Sequence, residues 1–175
     1  MPNGLALAIS LLVILLFLAY IVSIILNFFT PFFTTPNKAL KKIVGKFNLK
    51  PNQKFVDLGS GDGRVVFQTY SLYKCTSVGY EISPVLSLFV KLKKFLISPF
   101  NPKIQFKDES FFKINLREYD VVYCCLPNDV LSNLEKKFSK ELKKGSVVYC
   151  LRNELPKKQG GKIHAGEEVV YWYTF

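Results

Sequence analysis

The segment Val56-Asp57-Leu58-Gly59-Ser60-Gly61-Asp62-Gly63 constrains this chain more than any other. A short β-prone run from Lys54 to Leu58 leads into three glycines at alternate positions, and Gly63 to Tyr70 then has the composition to open a helix. Glycine lets a backbone turn sharply and approach a ligand closely, and the N-terminus of the following helix presents N–H groups with no partner of their own. Strand, tight turn and helix in that order form the opening unit of an open α/β sheet.

The chain after the turn keeps the alternation. Thr76 to Tyr80 is predicted as a second strand, Pro84 to Ile97 as a helix with Pro in its first turn, and Lys103 to Phe106 as a third strand. Tyr119 to Leu126 is almost continuously apolar, which is the pattern of a strand buried on both faces of a parallel sheet. An amphipathic helix follows from Asp129 to Leu142, stopped by Gly145, and Ser146 to Leu151 makes a fifth strand. Between Arg152 and Glu168 there is too little chain for another long helix and a crossover. Lys162 to His164 and Val169 to Phe175 are therefore expected to pair across Ala165-Gly166-Glu167. The expected fold is a Rossmann-like, doubly wound α/β sheet with a terminal antiparallel hairpin, occupying residues 51–175.

The N-terminal fifth differs from the rest. No charged side chain occurs between Met1 and Thr35, and Leu5 to Phe29 is interrupted only by isolated polar residues such as Ser10, Ser23 and Asn27. Roughly 20 apolar residues cross a bilayer core. A core helix would keep a polar face, and a cleaved signal peptide would show a basic start and a small-residue cleavage site. Residues 1–35 are read as one transmembrane α-helix with its flank, and 36–50 as an amphipathic connector carrying Leu40, Ile43, Val44 and Phe47 at helical spacing. Lys38, Lys41, Lys42 and Lys46 follow the apolar run, which places the domain on the cytoplasmic or matrix-equivalent face and offers contacts to anionic lipid.

Lys and Arg outnumber Asp and Glu by 24 to 13, a net charge of +11. The remaining lysine clusters read as solvated faces; with no zinc-finger, helix-turn-helix or RNA-binding signature, a nucleic-acid partner is not expected. The cysteines, Cys75, Cys124, Cys125 and Cys150, have no C-x-x-C spacing, and Cys124 and Cys125 point to opposite faces of a strand. Buried thiols are expected, and no metal site.

What ligand suits the turn follows from its charges. Dinucleotide sites use G-x-G-x-x-G with a pyrophosphate on the helix end. Here the spacing is G-x-G-x-G, and Asp57 and Asp62 would repel a pyrophosphate while suiting a ligand with ammonium and sulfonium charges. S-adenosylmethionine is such a ligand. Gly79-Tyr80-Glu81 closes the second strand with a carboxylate able to accept both ribose hydroxyls, and Asp108 after the third strand could take the adenine amino group. Each part has a plainer explanation: a tight βα connection, a solvated glutamate, a helix-capping aspartate. Their order at successive strand ends favours the ligand site.

Three segments carry a resemblance to a known group: Pro31-Phe32-Phe33-Thr34-Thr35-Pro36, Val56 to Val66 (VDLGSGDGRVV), and Val78-Gly79-Tyr80-Glu81-Ile82-Ser83-Pro84. The chain resembles the class I, seven-β-strand methyltransferases. Within them it is similar to the membrane-associated protein lysine methyltransferases that act on the ATP synthase c-subunit and the adenine nucleotide translocase, and to their prokaryotic relatives. The resemblance implies methyl transfer to a lysine amine of a membrane protein. Asp57, Gly59, Ser60, Gly61, Asp62, Gly63, Glu81, Ile82 and Asp108 are the candidate cofactor contacts. The chain departs from many amino-methylating enzymes in reading Cys124-Cys125-Leu126-Pro127-Asn128 where they have Asn/Asp-Pro-Pro-Tyr.

Methyl transfer to an amine needs alignment and a neutral nucleophile more than a strong base, and an apolar slot lowers a lysine pKa by desolvation. Tyr123, Leu126, Pro127 and Asn128 are the candidates to line that slot, with Tyr123 and Asn128 as catalytic candidates and Asn128 orienting the amine. The plainer role for Asn128 is an N-cap before Asp129. His164, Trp172 and Tyr173 are expected as surface or packing residues. Two other functions stay open: a methyltransferase for a small or lipid-like acceptor, and a cofactor-binding module without an acceptor site.

Overall fold

The structure is a computed structural model and describes residues 2–29 and 34–175. It divides into two compact units, Met1–Phe32 and Phe33–Phe175. Pro31, Phe32 and Phe33, the start of the Pro31 to Pro36 segment, lie outside the described residues.

The first unit is one helix, α1 (Pro2–Phe29). Its stretch Gly4–Ser23 is long and apolar enough to cross a membrane, and none of that stretch is buried within the protein. Leu11, Leu12, Val13, Ile14 and Leu15 succeed one another around the helix and are all more than half exposed. A helix that is apolar on every side suits lipid rather than water.

The second unit is built on a seven-stranded sheet: β1 (Lys54–Leu58), β2 (Thr76–Tyr80), β3 (Ile104–Lys107), β4 (Val121–Cys124), β5 (Val147–Leu151), β6 (Gly161–Ala165) and β7 (Glu168–Thr174). Their spatial order is β3-β2-β1-β4-β5-β7-β6. The first five strands run parallel, and β7 pairs antiparallel with both β5 and β6. The expected hairpin is present, with Ala165 opposite Glu168 at its closed end. Its second strand lies inside the sheet and its first lies at the edge. Burial accounts for that order: Val170 and Tyr173 on β7 are buried, whereas Lys162 and His164 on β6 are exposed and polar, as an edge requires.

Helices α2 (Asn37–Val44), α3 (Arg64–Tyr73), α4 (Pro84–Ile97) and α5 (Asn128–Glu141) complete the unit. Because successive strand residues point to opposite faces, Phe55 and Tyr123 enter one core while Val56 and Val122 enter the other. The first core takes the apolar sides of α2 and α3, the second those of α5. Residues 37–44, read above as part of a connector, pack as a layer of this unit. Ala39, Leu40, Ile43 and Val44 are buried with Phe55 and Tyr149. Tyr73 Oη donates to the Val44 carbonyl at 2.9 Å, and Tyr149 Oη to the Lys46 carbonyl at 2.8 Å. Strand β4 is shorter than its apolar run. Tyr119 and Leu126 flank it and pack against the second core, so their apolarity reflects side-chain burial outside the ladder.

Candidate active site

The site grows from the end of β1. Gly59, Gly61 and Gly63 have φ of +81°, +54° and +74°, three alternate positions in the left-handed region that side chains strongly disfavour. The Gly59 and Ser60 N–H groups both donate to the Tyr80 carbonyl at 2.9 Å, which fastens the turn to the end of β2. Close approach explains two glycines further. A Cβ on Gly63 would lie 2.5 Å from Val90 Cγ2 of α4, and one on Gly79 would lie 2.6 Å from Ser60 Oγ.

Glu81 completes the turn. One carboxylate oxygen accepts the Gly61 N–H at 2.9 Å and the other accepts the Ser83 N–H at 2.8 Å, joining the glycine turn to the first turn of α4. Ile82, between them in sequence, is exposed. Asp57, at the turn's base, is only 3% exposed. Burial pushes its carboxyl well above the ordinary range, and the charges of Glu81 and Asp62 push it further.

Asp62 behaves oppositely. Burial acts to raise it, but the hydrogen bonds and charge of Arg64 outweigh burial and hold it below its usual value. Arg64 grips Asp62 at 2.7 Å and also donates to the Thr35 carbonyl at 2.9 Å and to Asn37 Oδ1 at 3.2 Å. It thereby ties the glycine turn to the chain entering α2. Ser60 Oγ is buried with no hydrogen-bond partner among the described residues. Left-handed glycines, an unpartnered buried hydroxyl, and the carboxyl groups of Asp57 and Glu81, which have no ion-pair partner among the described residues, fit a ligand bearing hydroxyls and positive charge, as S-adenosylmethionine does.

The other expected residues are distributed around this centre. Asp108 lies past β3 and is bound by Ser87 and Lys91 of α4; hydrogen bonds from those two groups hold its pKa down. Tyr123 is fully buried beside Phe47 and Phe55, and its hydroxyl shares a 2.7 Å bond with Thr35 Oγ1. The fourth strand's exit does reach the turn, since a Cβ on Gly59 would lie 3.3 Å from Leu126 Cδ2. Asn128 is the exposed first residue of α5 and Pro127 occupies the N-cap position, where no side chain caps the helix, so Asn128 does not have the capping role. No group able to hold a metal ion occurs among the described residues.

Sequence reasoning did not single out Thr35, Arg64, Gly79 or Ser83 as individual parts of the site. All four lie within the quoted segments, but their roles depend on contacts across the fold.

A 3-2-1-4-5-7-6 sheet with this turn after β1 and a glutamate after β2 is the fold of the class I S-adenosylmethionine-dependent methyltransferases. Residues 57–161, more than half of the chain, match the family described as the ANTKMT methyltransferase domain, and the chain belongs to that family. Solved structures of this fold hold S-adenosyl-L-homocysteine, in an RNA methyltransferase, and S-adenosylmethionine, in a geranyl diphosphate methyltransferase.

Three relatives are similar in sequence. The adenine nucleotide translocase lysine N-methyltransferase of Mus musculus is 31% identical over 69% of this chain and 52% of its own length. The ATP synthase C-subunit lysine N-methyltransferase of Homo sapiens is 26% identical over 72% of this chain and 53% of its own. A protein-lysine N-methyltransferase of Saccharolobus islandicus is 24% identical over 82% of this chain and 92% of its own. The chain spans about half the length of the two mammalian relatives. In structure, an RNA methyltransferase from Salinibacter ruber in complex with S-adenosyl-L-homocysteine superposes with a TM-score of 0.75 at 22% identity, covering 81% of this chain and 92% of that one.

Proposed function

We propose that this chain transfers a methyl group from S-adenosylmethionine to a lysine side chain of a membrane-associated protein. The observation that carries the reading is the convergence of buried Asp57, the left-handed glycine turn and the Glu81 carboxylate at adjacent strand ends. That three relatives are lysine N-methyltransferases supports the acceptor class.

In this reading Asp57 meets positive charge on the cofactor, Gly59 to Gly63 accept its backbone-close portion, and Glu81 holds the ribose hydroxyls. Ile82 and Asp108 lie toward the adenine. Leu126 and Pro127 wall an apolar slot that keeps the entering lysine neutral, and Asn128 orients its nitrogen. Tyr123 is a positioning residue that acts through Thr35. The nitrogen lone pair forms the bond to the methyl carbon, the sulfur–carbon bond breaks, S-adenosylhomocysteine leaves, and the surplus proton on nitrogen passes to water.

Helix α1 serves as the anchor in this proposal. Lys38, Lys41, Lys42 and Lys46 follow it and orient the catalytic domain to the cytoplasmic or matrix-equivalent side. Incubating native membranes with the full chain and methyl-tritiated S-adenosylmethionine tests the reading. Label in a protein band that yields methyl-lysine on hydrolysis is expected. Label recovered only in the organic extract would assign a lipid-like acceptor, and cofactor binding without any transfer would leave a binding module.

A further inference from the structure

Helix α4 leaves most of its surface uncovered. Only Ser87 and Val90 are buried along its 14 residues. Val85, Leu88, Phe89, Leu92, Phe95 and Leu96 are 44 to 81% exposed. Their spacings of three, one, three, three and one place them on one side of the helix. Phe100, in the turn that follows, is 95% exposed. A contiguous apolar stripe of this kind on a folded unit marks a binding surface, since water alone would favour polar residues there.

Charge indicates what covers it. Helix α4 has no acidic residue; of its three lysines, Lys91 and Lys93 fall at the two borders of the stripe, where Lys91 is paired with Asp108 and Lys93 donates to the Asp62 carbonyl at 3.2 Å, and Lys94 lies on the side away from it. Lys91, Lys94 and Lys107 also line one hollow between α4 and β3, beside Phe95 and Gln105. An apolar stripe with lysines along its borders is the distribution of a helix lying in a membrane interface: apolar side chains enter the acyl boundary, and ammonium groups, whose three N–H donors exceed the one bond that Lys91 and Lys93 each make to the protein, turn the rest to the phosphates. At about 1.5 Å per residue, 14 residues are too short to span a bilayer, so such a helix lies in its plane. The same chain contains α1, a helix apolar enough for lipid, and carries a net charge of +11.

We infer that α4 and the turn after it bind the surface of an anionic phospholipid membrane, as a contact separate from α1. The lipid contact stands without regard to what the site methylates. Its consequence for the acceptor rests on the proposed function: Glu81 is bonded to the Ser83 N–H at the start of α4, so a membrane-seated α4 holds the mouth of the site at headgroup level. Acceptor lysines close to the bilayer surface are then the ones within reach.

The test uses the full chain in vesicles containing brominated phosphatidylglycerol. Leu96→Trp places a reporter on the stripe at a position 81% exposed, where folding does not depend on the side chain. The native Trp172 on β7, toward the other end of the sheet from β3, supplies the background in the parent chain. The added emission should shift to the blue and be quenched, while Trp172 is not. Each basic residue at such a surface changes partitioning by about fivefold, so quenching should fall when the brominated phosphatidylglycerol is replaced by equally brominated phosphatidylcholine. Unquenched, red-shifted emission would show the stripe in water and overturn the inference. Unquenched, blue-shifted emission would show a protein or a second copy covering the stripe and overturn it equally. Quenching that is the same in purely zwitterionic vesicles would overturn the anionic assignment. None of these outcomes bears on methyl transfer, which is read separately from label incorporation.

Discussion

Glu81→Gln separates a cofactor carboxylate from a structural one. In the wild type each Glu81 oxygen accepts a backbone N–H, from Gly61 at 2.9 Å and from Ser83 at 2.8 Å. A glutamine of the same shape has one accepting oxygen, so one N–H loses its partner and faces an NH2 group. Losing such a bond to a charged acceptor costs about 1.5–3 kcal/mol of stability. Against that, the Glu81 charge is one of the groups repelling the buried Asp57 carboxylate, and its removal relieves this repulsion. The two effects oppose, and the melting temperature should fall by less than the roughly 12 °C that the bond loss alone would set. Binding has no such offset. A hydrogen bond to a charged group is worth about 1.5–3 kcal/mol, so loss of one ribose contact should weaken affinity about 10- to 100-fold. Calorimetric titration of the full chain in detergent with S-adenosylhomocysteine, beside thermal melts, measures both. Exposed Glu109→Gln serves as the control. A Glu81→Gln protein that binds within about threefold of wild type would refute the assignment, because charged-group hydrogen bonds are not that weak. So would one whose affinity loss merely tracks a collapse in melting temperature.

Three further outcomes follow from the same geometry. Gly63→Ala should lose about 2–5 kcal/mol in urea unfolding, since its Cβ would meet Val90 Cγ2 at 2.5 Å in a residue with φ of +74°. A loss below about 1 kcal/mol would mean that α4 shifts freely away from the turn. Asp57 has a folded-state pKa raised above its unfolded value of about 3.9, so the native state holds the proton more tightly and stability falls as pH rises through that window. Asp57→Asn should therefore melt higher than wild type at about pH 8, with the difference shrinking toward pH 4; an asparagine variant that melts lower throughout contradicts the burial argument. Tyr123→Phe and Thr35→Val should each cost about 1 kcal/mol by breaking one buried 2.7 Å bond, and the double variant should cost little more than either alone. Full additivity in the urea midpoints would show that the two hydroxyls are not each other's partners.

The legible parts of the fold were those with local punctuation. Strands β1 and β2 and helix α4 begin and end where expected because Gly59, Glu81 and Pro84 stop or start backbone conformations on their own. The position of β7 was not legible. A hairpin can join a sheet by either of its strands, and the choice rests on contacts such as the Leu155 N–H donating to Tyr173 Oη at 2.8 Å across 18 residues. Helix α2 reads as a connector in sequence because its lysines look the same facing water or lipid, while the partners of Ile43 and Val44 come from strands far along the chain. The site divides similarly. Its glycines and Glu81 are backbone devices visible in one segment, whereas the bond from Tyr123 to Thr35 spans 88 residues and no spacing rule reveals it.

The structure also narrows which charges face the ligand. Asp57 and Asp62 do not act as a pair, because Arg64 is bonded to Asp62 and offsets its charge. The positive charge of a ligand is therefore left to Asp57 and Glu81. Of these, Asp57 is the group whose proton is held by burial and by its acidic neighbours, and a cation placed beside it reverses that bias. Binding of S-adenosylmethionine should thus release a proton. Affinity should rise with pH from the ordinary carboxyl range until the raised folded-state pKa is passed, and then level off. Titrations in buffers of different ionisation enthalpy count the proton directly, and S-adenosylhomocysteine, which lacks the sulfonium, reports how much of the effect belongs to that charge. If neither ligand releases a proton below the raised pKa, Asp57 does not face the cationic end of the cofactor, and its burial serves the turn alone.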